Sequence, residues 1–169
     1  MLKKAMQDAL NKQIQEETYS AYLYLSMAAH FEATNMPGVG SWFRVQTQEE
    51  IFHATKLFNY VIEGGGRVEL QAIQAPPTEW KSALAAFKDA FKHEQHITGC
   101  IDALVDMARK KGDKATENFL QWFVAEQVEE EASVDEVVQK LELVGNDGGG
   151  LYMIDRELVS RVYNPPAAE

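Results

Sequence analysis

The helix breakers of this chain are confined to a few short places. All five prolines stand at Pro37, Pro76, Pro77, Pro165 and Pro166, and most glycines fall at 38–40, 64–66, 112 and 145–150. Proline inside a helix costs about 3 kcal/mol and glycine about 1 kcal/mol relative to alanine. Long elements are therefore restricted to the intervals between these clusters. There helix formers dominate and apolar residues recur every three or four positions. The pattern predicts helices over about 4–34, 38–63, 81–111 and 114–144. A shorter fifth helix is predicted at about 151–162, after a Gly148-Gly149-Gly150 hinge. No strand alternation, solenoid repeat or low-complexity tail is visible.

The joins decide how the helices stack. Asn35-Met36-Pro37-Gly38 and Gly112-Asp113 are short, so each closes an antiparallel hairpin. The connection from Gly64 to Trp80 is long. Fully extended, it reaches about 55 Å, against about 46 Å for the longest predicted helix. It can run the length of a bundle and return the chain to its starting end, which makes the second and third helices parallel. The predicted fold is all-α: a four-helix bundle with a long crossover and a short C-terminal helix, one domain over 1–169.

The inward stripe of each helix, read in steps of three and four, carries the chemistry. The first gives Leu10, Ile14, Glu17, Ala21, Tyr24, Ala28 and Phe31; the second gives Phe43, Gln46, Glu50, His53, Leu57 and Tyr60. The third gives Leu84, Phe87, Phe91, Glu94, Thr98, Ile101, Val105 and Ala108; the fourth gives Leu120, Phe123, Gln127, Glu130, Val134, Val137, Leu141 and Val144. Each stripe is mostly apolar and is interrupted near its middle by a carboxylate. In a bundle, mid-helix positions fall at one level. Glu17, Glu50, Glu94 and Glu130 therefore surround one point in the core, with His53 and Gln127 beside them. Converging buried carboxylates cannot all stay ionised without partners, and no Lys or Arg occupies the stripes. A pair of divalent or trivalent cations is the economical partner. Carboxylates with one imidazole suit iron or manganese, and zinc can also bind. A single stripe glutamate more often has its head in solvent; four at one level do not.

Composition narrows the classes. There are 16 basic residues against 26 acidic ones, a net charge of −10, which repels phosphate backbones and anionic membranes. No nucleic-acid or membrane partner is expected. The single cysteine, Cys100, excludes a disulfide framework and a Cys-based cluster within one chain. With no apolar leader at the N-terminus, a cytoplasmic protein is expected. His30, His93 and His96 lie off the stripes and are expected at the surface, and Cys100 as a small buried filler.

Taken together, Gln15-Glu16-Glu17-Thr18-Tyr19-Ser20-Ala21-Tyr22, Glu49-Glu50-Ile51-Phe52-His53-Ala54, Glu94 and Ala125-Glu126-Gln127-Val128-Glu129-Glu130-Glu131 resemble ferritin, and within it the bacterial non-haem ferritins. Gln127-x-x-Glu130 stands where bacterioferritins have a second Glu-x-x-His, and Ile51 where they carry a haem-ligating Met, so no haem is expected. The resemblance implies an iron-storage ferroxidase. Glu17, Glu50 and His53 would hold one iron, and Glu50, Glu94 and Glu130 the second, with Gln127 close by. A third iron site would use Glu49, Glu126, Glu129 and Glu130, and Tyr24 would join the redox chemistry. Fe²⁺ would be oxidised by O₂ or peroxide and Fe³⁺ stored as hydrous ferric oxide in a homo-oligomeric shell of 24 subunits. The seven glutamates so assigned explain much of the acidity: without them, 19 acids face 16 bases. Two other readings stand beside this one. A rubrerythrin-like di-iron oxidase would usually add a four-cysteine module, and a metal-free structural bundle would leave the carboxylate belt unexplained.

Overall fold

A computed structural model describes residues 2–165. Five helices follow one another: α1 (Lys4–Ala33), α2 (Pro37–Glu63), α3 (Ala83–Lys111), α4 (Lys114–Val144) and α5 (Gly148–Leu158). No strand occurs among the described residues. Pro166, counted above among the breakers, lies outside them, as do the ends of the predicted 1–169 domain. Among the described residues, no helix is long and apolar enough to cross a membrane.

The helix starts follow from local chemistry. Pro37 opens α2, where its missing N–H is not needed. Ser82, Asp113 and Asp147 cap α3, α4 and α5 by accepting from the N–H groups of Ala85, Thr116 and Gly150. The last of these corrects the predicted hinge. Gly148, Gly149 and Gly150 form the first turn of α5, because the Asp147 cap offsets their poor helix propensity. The helix accordingly runs 148–158 rather than 151–162.

Contacts across the bundle fix its topology. Lys3 donates to the Lys111 carbonyl, Ser20 meets His93, and Tyr24 bonds Glu94, so α1 and α3 are antiparallel. Gln46–Glu130 and Tyr60–Thr116 make α2 and α4 antiparallel as well. With two hairpins, α2 and α3 must then be parallel, as the long connection implied. That connection lies along α1, held by a ladder of its polar side chains. Gln7 accepts from the Arg67 N–H, Asn11 donates to the Arg67 carbonyl, Gln15 to that of Ala72 and Ser26 to that of Pro77. Several backbone groups of the extended segment thereby find partners without a sheet.

The apolar core divides into two parts. One surrounds Tyr24, Phe31, Trp42, Phe43 and Phe87; the other surrounds Met6, Leu10, Leu57, Ile101 and Phe123. The polar belt lies between them. The stripe of α3 is rotated from the sequence reading: Ala83, Ala86, Ala90, Ile97 and Leu104 are buried, while Leu84, Phe91 and Thr98 are only half-buried. Small alanines let the neighbouring aromatic rings approach the backbone, and a stripe read by side-chain bulk overlooks them. α5 packs against α2 and α4. Its buried Asp155 accepts from the Val39 N–H at 2.9 Å, capping the exposed donors at the start of α2. The approach demands glycine at Gly38, where a Cβ would lie 1.7 Å from the Asp155 carbonyl oxygen.

Candidate metal centre

The structure brings the four stripe glutamates to one level. Glu17, Glu50, Glu94 and Glu130 are each no more than 4 % exposed, as are His53 and Gln127. Their ligand atoms form three groups, each with all atoms within 4.8 Å of one another: Glu17, Glu50 and His53; Glu50, Glu94 and Glu130; and His53, Glu126 and Glu130. Glu50 belongs to the first two groups and stands between them. His53 Nδ1 lies 3.3 Å from Glu50 and 3.9 Å from Glu17, while Nε2 points towards Glu126 at 4.0 Å.

The surroundings fix these heads without neutralising them. Gln13, one turn before Glu17, donates to Glu17 Oε1 at 2.9 Å. Gln46, one turn before Glu50, donates through Nε2 to both Glu50 and Glu130. Gln127 donates to Glu94 Oε2 at 3.2 Å, and the Tyr24 hydroxyl donates to Glu94 Oε1. Glu17 Oε2 has no donor at all. It faces Glu50 and His53 from full burial, an arrangement that costs about 1–3 kcal/mol unless a proton or cation arrives.

The electrostatics agree. Burial, then the charge of Glu50, pushes Glu17 well above the usual carboxylate range. Burial and Glu94 do the same to Glu50, and burial with Glu50 and Glu94 to Glu130. Glu94 is raised by burial, against the hydrogen bonds of Tyr24 and Gln127. Tyr24 is itself held far above the normal phenol value by burial and by Glu94. These are carboxylates that want positive charge, and oxygen-rich sites with one imidazole suit iron or manganese.

Other expected residues divide. Glu126 joins Glu130 and His53. Glu49 is half-buried and turns to Arg161, and Glu129 stays exposed outside all three groups. His96 is exposed as expected, but His93 is not a surface residue. It bonds Ser20 at 2.7 Å and packs edge-on against Tyr19 and Tyr24. Burial, with His96 beside it, lowers its pKa to about 4, so it is neutral. His30 is half-buried against Trp80. Cys100 is half-exposed rather than a core filler, 3.6 Å from His96. Gln13 and Gln46 carried a signal in sequence, each four residues before a core glutamate on the same face. His93 and Arg161 carried none, because tertiary contacts alone make them part of the site.

A profile described as a ferritin-like domain matches residues 7–144. The chain belongs to the ferritin family. Bacterial non-haem ferritins are its relatives: one from Bacteroides fragilis is 41 % identical over 95 % of this chain and all of the relative. One from Staphylococcus aureus is 37 % identical over 97 % of this chain and 99 % of its own. Among solved structures, an open-pore ferritin from the hyperthermophilic archaeon Archaeoglobus fulgidus superposes with a TM-score of 0.95 at 52 % identity, covering 96 % of this ferritin and all of the archaeal chain. An engineered closed form of the same archaeal ferritin gives 0.96 at 51 %, covering 97 % and 100 %.

Proposed function

We propose that the chain is an iron-storage ferroxidase. The observation that carries this reading is the belt of buried, undercompensated carboxylates: two triads sharing Glu50, with one Glu17 oxygen lacking any donor. Fe²⁺ is the substrate. In this reading Glu17, Glu50 and His53 hold one ion. Glu50, Glu94 and Glu130 hold the other, and Gln127 presents its amide beside Glu94. Each Fe²⁺ surrenders one electron, and the two electrons together reduce peroxide to water or O₂ to hydrogen peroxide. Tyr24, bonded to Glu94, puts a redox-active ring against the second position. Fe³⁺ acidifies bound water far more than Fe²⁺, so it hydrolyses without a protein base and leaves as hydrous ferric oxide.

The triad of His53, Glu126 and Glu130, with Glu49 and Glu129 at its margin, is the third iron site in this reading. It borders the paired centre and offers the ions a way out of it. The reading includes a homo-oligomeric shell, probed below, of 24 subunits around the mineral, in keeping with ferritin relatives that match over their whole length. It includes no haem, since Ile51 is an exposed aliphatic side chain with no soft ligand to offer. It also includes a cytoplasmic setting without nucleic-acid or membrane partners, as the net charge of −10 favours.

The test is a stopped-flow assay of Fe²⁺ oxidation with Glu50→Ala. Loss of the shared ligand disables both positions, so the rapid phase should fall by at least about a hundredfold, the scale for removing a group that stabilises developing charge. Oxidation at the wild-type rate would refute the assignment.

A further inference from the structure

Three residues past the end of α5, the chain sends Arg161 back to the centre. The guanidinium lies over the Trp42 ring, its central carbon 4.2 Å from the ring centroid. One nitrogen donates to Gln46 Oε1 at 2.8 Å and the other to Glu49 Oε2. Arg161 and Glu49 keep only 22 % and 23 % of their side chains exposed. The segment that carries Arg161 is anchored by Asp155, which caps the start of α2.

Two consequences follow. Gln46 accepts from Arg161 through its carbonyl, so its NH₂ must face the belt, and it does, donating to Glu50 and Glu130. Glu49 stands within the field of His53 and Glu126, yet no oxygen of it joins their cluster; it is paired with Arg161 instead. The guanidinium is thus a fixed monovalent cation bonded to Glu49 on one edge of the site, while Lys56 acts on Glu126 through its field alone.

We propose that Arg161 is a positioning residue of the third carboxylate cluster, a built-in counter-cation that an incoming metal must displace from Glu49. The inference rests on the third-site reading above. It makes the third position weaker than the paired centre, so that ions there are transient. It also links that affinity to the packing of the C-terminal segment. A forked guanidinium can bond Glu49 and Gln46 together while stacking on an aromatic ring; a lysine ammonium can replace the charge but not the fork or the stacking.

The experiment is anaerobic calorimetric titration of the assembled, iron-free protein with Fe²⁺ alone. Arg161→Ala should still bind two ions per subunit ahead of the third, their affinity moving only through the freed Gln46, and should bind the third about tenfold more tightly, which is about 1.4 kcal/mol. Arg161→Lys, which keeps the charge beside Glu49, should return the third affinity to within about threefold of wild type. Melting curves and light scattering on the same samples establish that the variants are folded and assembled, and Arg161→Lys carries the test if the alanine variant is not. A third affinity unchanged or weakened in Arg161→Ala would overturn the proposal, since the guanidinium would then be idle or would organise Glu49 for the metal. So would an Arg161→Lys protein whose third ion binds as tightly as in the alanine variant. If wild type binds only two ions and Glu126→Gln titrates identically, the third-site reading itself fails, and this inference with it.

Discussion

Replacing Glu17 by glutamine changes the one side chain, among the described residues, with a fully buried oxygen that has no donor. The carbonyl of the new side chain still accepts from Gln13, and its NH₂ faces Glu50 with a hydrogen bond to give. In the metal-free subunit burial and then Glu50 raise the pKa of the wild-type group well above normal, which favours its neutral form there. An unfolded glutamate ionises near pH 4.3, and each pH unit over which the folded group keeps a proton that the unfolded chain has lost costs about 1.4 kcal/mol. A raised folded pKa gives a contribution that is complete below the unfolded value and is lost as pH rises through the folded value. The advantage of Glu17→Gln should therefore be close to zero near pH 4 and widen steadily above it. At pH 7 we expect a gain of about 1–3 kcal/mol, the scale of one unsatisfied buried polar group, or a rise in Tm of about 2–12 °C for a chain of this size. The assay is a set of thermal melts from pH 5 to pH 8 with a chelator present. A second set with Zn²⁺ should narrow or reverse the gap, because a ligand at a hundred times its Kd adds about 2.7 kcal/mol to the protein that binds it. A variant less stable than wild type without metal, or a gap that does not change with pH, would refute the charged-belt reasoning. Glu94 makes the contrast. Both of its oxygens accept from protein donors, Tyr24 and Gln127, so Glu94→Gln would set an amide against one of them and should gain little or lose stability.

Other outcomes test the rest of the structure. Glu129→Ala should leave rapid paired oxidation within about twofold of wild type, since Glu129 is exposed and outside the three groups, and should change only the later stoichiometry seen by iron titration. Gly38→Ala should lower stability by about 2–4 kcal/mol in a melt and expose α5 to limited proteolysis, because its Cβ would collide with the Asp155 backbone. Light scattering of the purified protein should report a large closed assembly across salt and concentration; monomers or dimers alone would sink the shell.

Much of this protein is legible in one dimension. Breakers gathered at 37–40, 64–66, 76–77, 112 and 145–150 leave room for long helices between them, and the connection is long enough for a crossover. The four glutamates are equally legible, because a charged residue in the middle of an apolar stripe has few physical excuses and four at one level have fewer. Gln13 and Gln46 could have been read as well, one turn from their glutamates. Other features depend on atoms brought together from distant segments. All four glutamates look alike in sequence, yet among the described residues only Glu17 has a fully buried oxygen without a donor, because Tyr24 and Gln127 reach the two oxygens of Glu94 and Gln46 and His53 those of Glu50. The three glycines before Leu151 look like a hinge and are a helical turn, because Asp147 caps them. His93 looks like a surface residue and is half-buried, bonded to Ser20 across α1 and α3. Arg161 stands 112 positions from Glu49, and no local pattern records their meeting. Periodicity reports which face a residue occupies within its own helix; which partner waits on the other side is decided only when the helices pack.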